Sequence, residues 1–128
     1  MSGKFLLDTN IAIAFLTADE TLQRPDTSSE LYISTIAIGE LFYGALNSTK
    51  VDENIQRLVE LFRDAVSVPC DDGTARMYGE IKLSLRKKGR PIPDNDIWIA
   101  ASAMQHSLNL VTRDEHFHNV DRLNVVRW

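Results

Sequence analysis

Short apolar runs alternate with longer amphipathic segments along the chain. Such runs are typical of buried strands, and they predict strands at residues 5–7, 31–33, 66–68, 110–112 and 124–126. The spacing and the capping residues predict helices over 11–16, from Ser34 or Thr35 to about 46, over 52–65, over 71–88, and from 97 to about 107. Residues 17–30 are polar and contain Pro25, so they predict a loop with at most a helical turn.

This alternation predicts a single α/β domain over residues 1–128. Its central sheet is expected to be mostly parallel, with about five strands and with helices on both faces. A chain of 128 residues with 44% hydrophobic and 25% charged residues fits one folded domain. The single cysteine, Cys70, excludes an internal disulfide. No apolar run reaches the roughly 18 residues of a membrane span or the length of a signal peptide, so we expect a cytoplasmic protein.

Two acidic residues follow predicted strands. Asp8 comes directly after the first strand, and Asp114 comes shortly after the fourth. In an open parallel sheet, ligands bind at the edge where the strands end, so these two carboxylates are expected at that edge. Each of them, taken alone, is explained equally well as a turn residue or a helix cap.

Glu40 is harder to explain as a surface residue. It is the only charged residue between Ile33 and Leu46, in a helix that is apolar on almost every side. Such a pattern predicts a buried helix. A buried carboxylate needs a cation, a metal or several donors, and a salt bridge to a buried arginine is the alternative to a functional role.

Asp94 and Asp96 stand at the start of a predicted helix, where the helix dipole favours carboxylates. Capping explains one of them, and we assign that role to Asp94. Asp96 falls on the same helix face as Ala100 and Ala103, whose small side chains allow other groups to approach closely. Asp96 is therefore the candidate functional residue of the pair.

Four carboxylates at one edge would repel one another and destabilise the fold without a counter-ion. Mg²⁺ and Mn²⁺ prefer oxygen ligands and would remove this repulsion. The chain has a net charge of −4, and leaving out these four acids brings the charge to zero. The overall charge argues against nucleic-acid binding by bulk positive charge but leaves local contacts open.

The basic residues cluster at the end of one predicted helix. They suit a solvated helix C-terminus, and they also suit a rim that contacts phosphates; the residues are Arg86, Lys87, Lys88 and Arg90. Near Asp114, His116 and His118 are interpreted as polar loop residues, because no third soft metal ligand is near in the sequence.

Four segments of the chain resemble the PIN domain family of metal-dependent ribonucleases. They are residues 5–10 (FLLDTN), 34–41 (STIAIGEL), 91–101 (PIPDNDIWIAA) and 110–114 (LVTRD). They occur in the family's order and together span almost the whole chain. Within the family, the chain is most similar to VapC-type toxins of bacterial toxin–antitoxin pairs.

The resemblance implies an endoribonuclease that uses one or two Mg²⁺ or Mn²⁺ ions and leaves a 5′-phosphate and a 3′-hydroxyl. The family's catalytic and metal-binding acids correspond to Asp8, Glu40, Asp96 and Asp114. Thr9 and Thr112 match hydroxyl positions beside the metal. Asp94 matches an acid that only some members have.

The resemblance also implies partners. These are an RNA substrate, a VapB-type antitoxin that inserts a basic side chain into the acidic site, and a second copy of the chain in a homodimer. Three other functions stay open: an idle PIN domain that binds nucleic acid or protein, a DNA nuclease, and a receiver-type phosphoacceptor domain. The receiver reading is weakened because the first strand ends in one acid only.

Overall fold

The computed structural model describes residues 3–24 and 29–128. Its strands are β1 Lys4–Leu7, β2 Glu30–Ser34, β3 Ala65–Val68, β4 Asn109–Val111 and β5 Val125–Val126. Its helices are α1 Thr9–Leu16, α2 Thr35–Leu46, α3 Val51–Asp64, α4 Asp72–Lys88, α5 Asp94–Gln105 and a 3-10 helix, Glu115–Asn119. In this part of the chain, no helix has both the length and the apolar character needed to cross a membrane.

The strands form one sheet in the order β3-β2-β1-β4-β5, and every neighbouring pair is parallel. The predicted α/β class and five strands are confirmed, and most predicted bounds differ from the observed ones by one or two residues. The helix predicted from residue 97 begins earlier, at Asp94. Pro25 and its neighbours in the predicted loop lie outside the described residues. The 3-10 helix was not predicted, because its five residues give no helical periodicity.

Polar residues at the strand ends start the helices that follow. The Asp8 carboxylate accepts a hydrogen bond from the Thr9 amide at the start of α1. The Ser34 hydroxyl accepts hydrogen bonds from the amides of Ile36 and Ala37, so Ser34 rather than Thr35 caps α2. The two strands turn into helices with no intervening loop, and α1 and α2 therefore begin at the edge where the parallel strands end.

Both faces of the sheet are covered. Leu6 and Ile33 face the larger core, to which helices α2 to α5 contribute. Leu7 points to the opposite face and packs in a smaller core with Ile11 of α1 and with Trp128. This alternation along β1 follows from the two-residue period of a strand, and it confirms the predicted layers on both faces.

The sequence predicts that helix α2 is buried on almost every side, and this prediction is wrong. Its buried residues are Ala37, Leu41 and Ala45, which lie on one face. Tyr43 is 71% exposed and Leu46 is 62% exposed. Ile36, Ile38 and Phe42 are half-buried against the larger core. The apolar surface that α2 leaves open is therefore that of Tyr43 and Leu46.

Phe117 anchors the 3-10 helix in the larger core, where it is fully buried. We expect Phe117→Ala to lower the free energy of unfolding by about 3 to 5 kcal/mol, because it removes a buried ring and leaves a cavity. Urea denaturation measures this change. The neighbouring exposed residue provides the control, and His118→Ala is expected to change stability by less than about 0.5 kcal/mol. Equal effects of the two substitutions would contradict the anchoring role.

Candidate functional site

A buried carboxylate joins the ends of the two central strands. Asp8 follows β1 and is 4% exposed. Its Oδ1 accepts a hydrogen bond of 2.8 Å from the Thr9 amide, and its Oδ2 accepts one of 2.8 Å from the hydroxyl of Thr112. Thr112 directly follows β4, the neighbour of β1, and is 3% exposed. The two strand ends are therefore held together by a carboxylate and a hydroxyl.

The two threonines connect Asp8 to the other predicted acids. The Thr112 oxygen also accepts a hydrogen bond of 3.0 Å from the Asp114 amide, which fixes the backbone that bears that acid. The hydroxyl of Thr9 donates a hydrogen bond of 3.1 Å to Oε1 of Glu40 on α2. Glu40 is half-buried beside Asp8 rather than fully buried in α2.

A histidine lies between the remaining two acids. Nε2 of His116 is 2.8 Å from Oδ2 of Asp96, in the first turn of α5. Nδ1 of the same ring is 2.9 Å from Oδ1 of Asp114. One donor atom from each of these three residues lies within 4.8 Å of the other two, so the group has the dimensions of a metal site.

Negative charge is concentrated at this edge of the sheet. Burial raises the pKa of Asp8 to about 6, although the hydrogen bonds from Thr112 and Thr9 oppose the shift, and the charges of Asp96 and Glu40 raise it further. Burial also raises the pKa of Asp96, against the effect of His116.

The donor set fits a divalent cation. Mg²⁺ and Mn²⁺ prefer carboxylate oxygens as ligands, and such oxygens are supplied here by Asp8, Glu40, Asp96 and Asp114. A cation among these carboxylates would offset both the burial and the repulsion that disfavour their ionised forms. We name this group, Asp8, Glu40, Asp96 and Asp114, the acidic cluster.

The sequence of this chain is similar to those of known nucleases. Residues 5–123 match the PIN domain family. Ribonuclease VapC2 of Haemophilus influenzae is 33% identical over 129 residues, which cover 98% of this chain and 98% of the relative. The chain is a PIN domain of the VapC ribonuclease family.

Two further relatives cover nearly the full length of this PIN domain. The tRNA(fMet)-specific endonuclease VapC of Shigella flexneri is 31% identical over 130 residues, which cover 98% of each chain. The crystal structure of DNA-bound VapBC from Salmonella typhimurium superposes with a TM-score of 0.90 at 28% identity, covering 100% of this chain and 99% of that chain. The fold predicted from the resemblance is thereby confirmed.

Asp94 does not act as the helix cap that its position predicts. The cap position of α5 is Pro93, which makes no side-chain hydrogen bond. The Asp94 carboxylate instead accepts hydrogen bonds from Tyr78 Oη (2.9 Å) and Lys82 Nζ (3.1 Å), both on α4. These contacts hold α5 against α4, and no described contact links Asp94 to the acidic cluster.

The basic cluster of this PIN domain lies at the end of α4, and one of its residues also holds that end in place. Lys88 donates a hydrogen bond of 2.8 Å to the Asn119 carbonyl and pairs with Asp121, so it attaches the end of α4 to the segment after β4. Its predicted contact with RNA phosphates stays a prediction, since its side chain is still 35% exposed. Arg86, Lys87 and Arg90 are exposed beside that attachment.

Two residues at the site were not identified from the sequence. His116 was interpreted as a loop residue, and this interpretation is wrong because the 3-10 helix turns its ring between Asp96 and Asp114. Asn95 lines an open cleft together with Thr9, Glu40 and Tyr43. The only sequence signal for His116 is its two-residue separation from Asp114.

Asp8 illustrates how the site lowers the stability of the metal-free protein. Its pKa in the folded state, about 6, lies above its ordinary value of 3.8, so the protein loses stability as the pH rises from 3.8 to about 6, and the loss is complete above pH 6. We expect Asp8→Asn to stabilise the metal-free protein by about 1 to 3 kcal/mol at pH 8. The gain should shrink at pH 5, where the folded wild type has Asp8 protonated.

Urea denaturation in a chelator at the two pH values measures the effect. Glu60→Gln removes an exposed acid from α3 and serves as the control, with little change at either pH. An Asp8→Asn protein that is less stable than wild type at pH 8 would show that the hydrogen bonds of Asp8 outweigh its buried charge.

Proposed function

We propose that this PIN domain is a metal-dependent endoribonuclease and the toxin of a toxin–antitoxin pair. The observation that supports this most directly is the acidic cluster, whose members come from four separate segments. Thr9 and Thr112 link Asp8 to Glu40 and to the backbone of Asp114, and His116 lies between Asp114 and Asp96. The names of its relatives support the same activity, since both curated relatives described above are nucleases. We further propose that residues 1–128 act as one domain in the cytoplasm.

Each acid has a proposed role. Asp8 and Asp96 would be the principal ligands of one or two Mg²⁺ or Mn²⁺ ions, and Asp114 would complete the set. A bound ion would lower the pKa of water so that hydroxide is available at neutral pH. Glu40 is half-exposed and uses Oε1 to accept from Thr9, so its other oxygen is available to orient the attacking water and accept its proton.

The reaction would be an in-line displacement at phosphorus. Water attacks the phosphate of an RNA linkage, and the 3′ oxygen of the preceding nucleotide leaves with a proton. The products are a 5′-phosphate and a 3′-hydroxyl. Because a relative is named as a tRNA(fMet)-specific endonuclease, we propose transfer RNA as the first substrate class to examine.

Asp96→Asn tests this function directly. We expect it to abolish cleavage of a total tRNA fraction in Mg²⁺ or Mn²⁺, because it removes a proposed ligand while leaving α5 in place. Mapping of new 5′-phosphate ends, in the test tube and after brief induction in cells, measures cleavage and identifies the cut position.

Asp94→Asn is the matched control, two residues away on the same helix. Its carboxylate contacts α4 rather than the acidic cluster, so we expect it to cleave like the wild type. Wild-type cleavage by Asp96→Asn, or the absence of new ends with the wild-type protein on every RNA, would refute the proposed activity.

The surface beside the acidic cluster supports an antitoxin partner. An apolar groove is lined by Ile13, Leu16, Leu41 and Leu58, and Glu40 lies on its wall. We propose that a segment of a VapB-type antitoxin fills this groove and directs a basic side chain to the acids. A related structure is a complex of VapB and VapC. The exposed apolar side chains of α2 are the proposed contact of a homodimer.

The basic residues at the end of α4 are proposed to contact RNA phosphates, and they are Arg86, Lys87, Lys88 and Arg90. Replacing Arg86 and Arg90 with Gln should weaken RNA binding and reduce the slope of log affinity against log salt by about 1 to 1.5, since each phosphate contact contributes roughly 0.7 for single strands. Filter binding over a salt series with the Asp96→Asn protein measures this slope without cleavage.

The control removes the same charge from the opposite edge of the sheet. Lys4 begins β1 and Arg63 lies just before β3, and both are exposed. Replacing these two residues with Gln is expected to leave the salt slope close to that of the wild type. Equal slopes for the two double variants would mean that the end of α4 is only a solvated helix terminus.

A further inference from the structure

His116 is held rigidly beside the acidic cluster. Its neighbour Phe117 is fully buried in the larger core, and the two ring centroids are 4.8 Å apart. The Asp114 carboxylate caps the 3-10 helix by accepting from the His116 amide. The backbone that bears the imidazole is thereby fixed beside the acidic cluster.

Each ring nitrogen of His116 faces a carboxylate oxygen at close range. Nε2 is buried, and its 2.8 Å approach to Asp96 lacks the alignment of a hydrogen bond. Nδ1 lies 2.9 Å from Asp114. Two ligands in adjacent octahedral positions, each about 2.1 Å from an ion, are separated by about 3 Å. One nitrogen of the ring and the carboxylate oxygen that it faces are therefore spaced closely enough to bind the same cation.

We propose that His116 is a nitrogen ligand in this site and that it makes the site select Mn²⁺ over Mg²⁺. The inference rests on the proposed function only in that the acidic cluster must bind a metal. Mg²⁺ strongly favours oxygen ligands, whereas first-row transition ions also accept imidazole. A single imidazole among carboxylates therefore adds affinity for Mn²⁺ and little for Mg²⁺.

Metal affinity measured by calorimetry tests this selectivity without any RNA. The metal-free wild type, His116→Gln and His118→Gln are each titrated with Mn²⁺ and with Mg²⁺. We expect His116→Gln to lose about tenfold or more in Mn²⁺ affinity, and to change Mg²⁺ affinity by less than about threefold. His118 is exposed and pairs with Glu115, so His118→Gln should bind both ions like the wild type.

Electron spin-echo spectroscopy of bound Mn²⁺ provides a direct readout of the bond. Modulation from a coordinated imidazole nitrogen is expected in the wild type and in His118→Gln, and it should disappear in His116→Gln. Thermal unfolding of each metal-free variant checks that the fold is retained. His116→Asn provides a second variant if the Gln side chain disturbs the 3-10 helix.

Three results would overturn the inference. They are bound Mn²⁺ without nitrogen modulation in the wild type, equal losses of Mn²⁺ and Mg²⁺ affinity in His116→Gln, and no Mn²⁺ binding by the wild type. The first two would make His116 a residue that only positions Asp96 and Asp114. Nitrogen-coordinated Mn²⁺ in a protein that cleaves no RNA would support this inference while refuting the proposed nuclease.

Discussion

The candidate site of this protein depends on a carboxylate that is buried at the end of the central strand. Asp8 is 4% exposed and is stabilised there by the Thr9 amide and the Thr112 hydroxyl. A buried charge is tolerated only when donors or cations compensate it. The Asp8–Thr112 hydrogen bond also joins β1 to the segment after β4, so the same contact that stabilises the charge assembles the site.

The parallel sheet explains why acids from distant parts of the sequence meet. Each strand delivers its last residue to one edge, and the helices that follow begin there, so Asp8 and Glu40 are brought together across a separation of 32 positions. Thr9 bridges them directly. The site is thus assembled by short backbone turns, which leave little freedom for the side chains that they position.

The acids that suit this edge of the sheet to metal binding also lower the stability of the metal-free fold. The raised pKa values of Asp8 and Asp96 mean that their ionised forms are disfavoured by burial in the metal-free protein. A cluster with one buried acid and three half-buried ones is suited to bind a cation, because the free energy of binding offsets this penalty. His116 provides part of that compensation through its contacts with Asp96 and Asp114.

The sequence by itself determined the fold class and the five strands, because these follow from the periodicity of its hydrophobic residues. It also determined the four acids that meet at one edge, because these follow from the positions where strands end and from the order of the family motifs. Only the tertiary structure decided the roles of Asp94 and His116. Asp94 occupies a cap position in the sequence, but Tyr78 and Lys82 of another helix bind it. His116 is drawn into the site because burial of Phe117 turns a short 3-10 helix toward Asp96. Such contacts join residues that are separated in the chain, so the local pattern of hydrophobic and polar residues does not predict them.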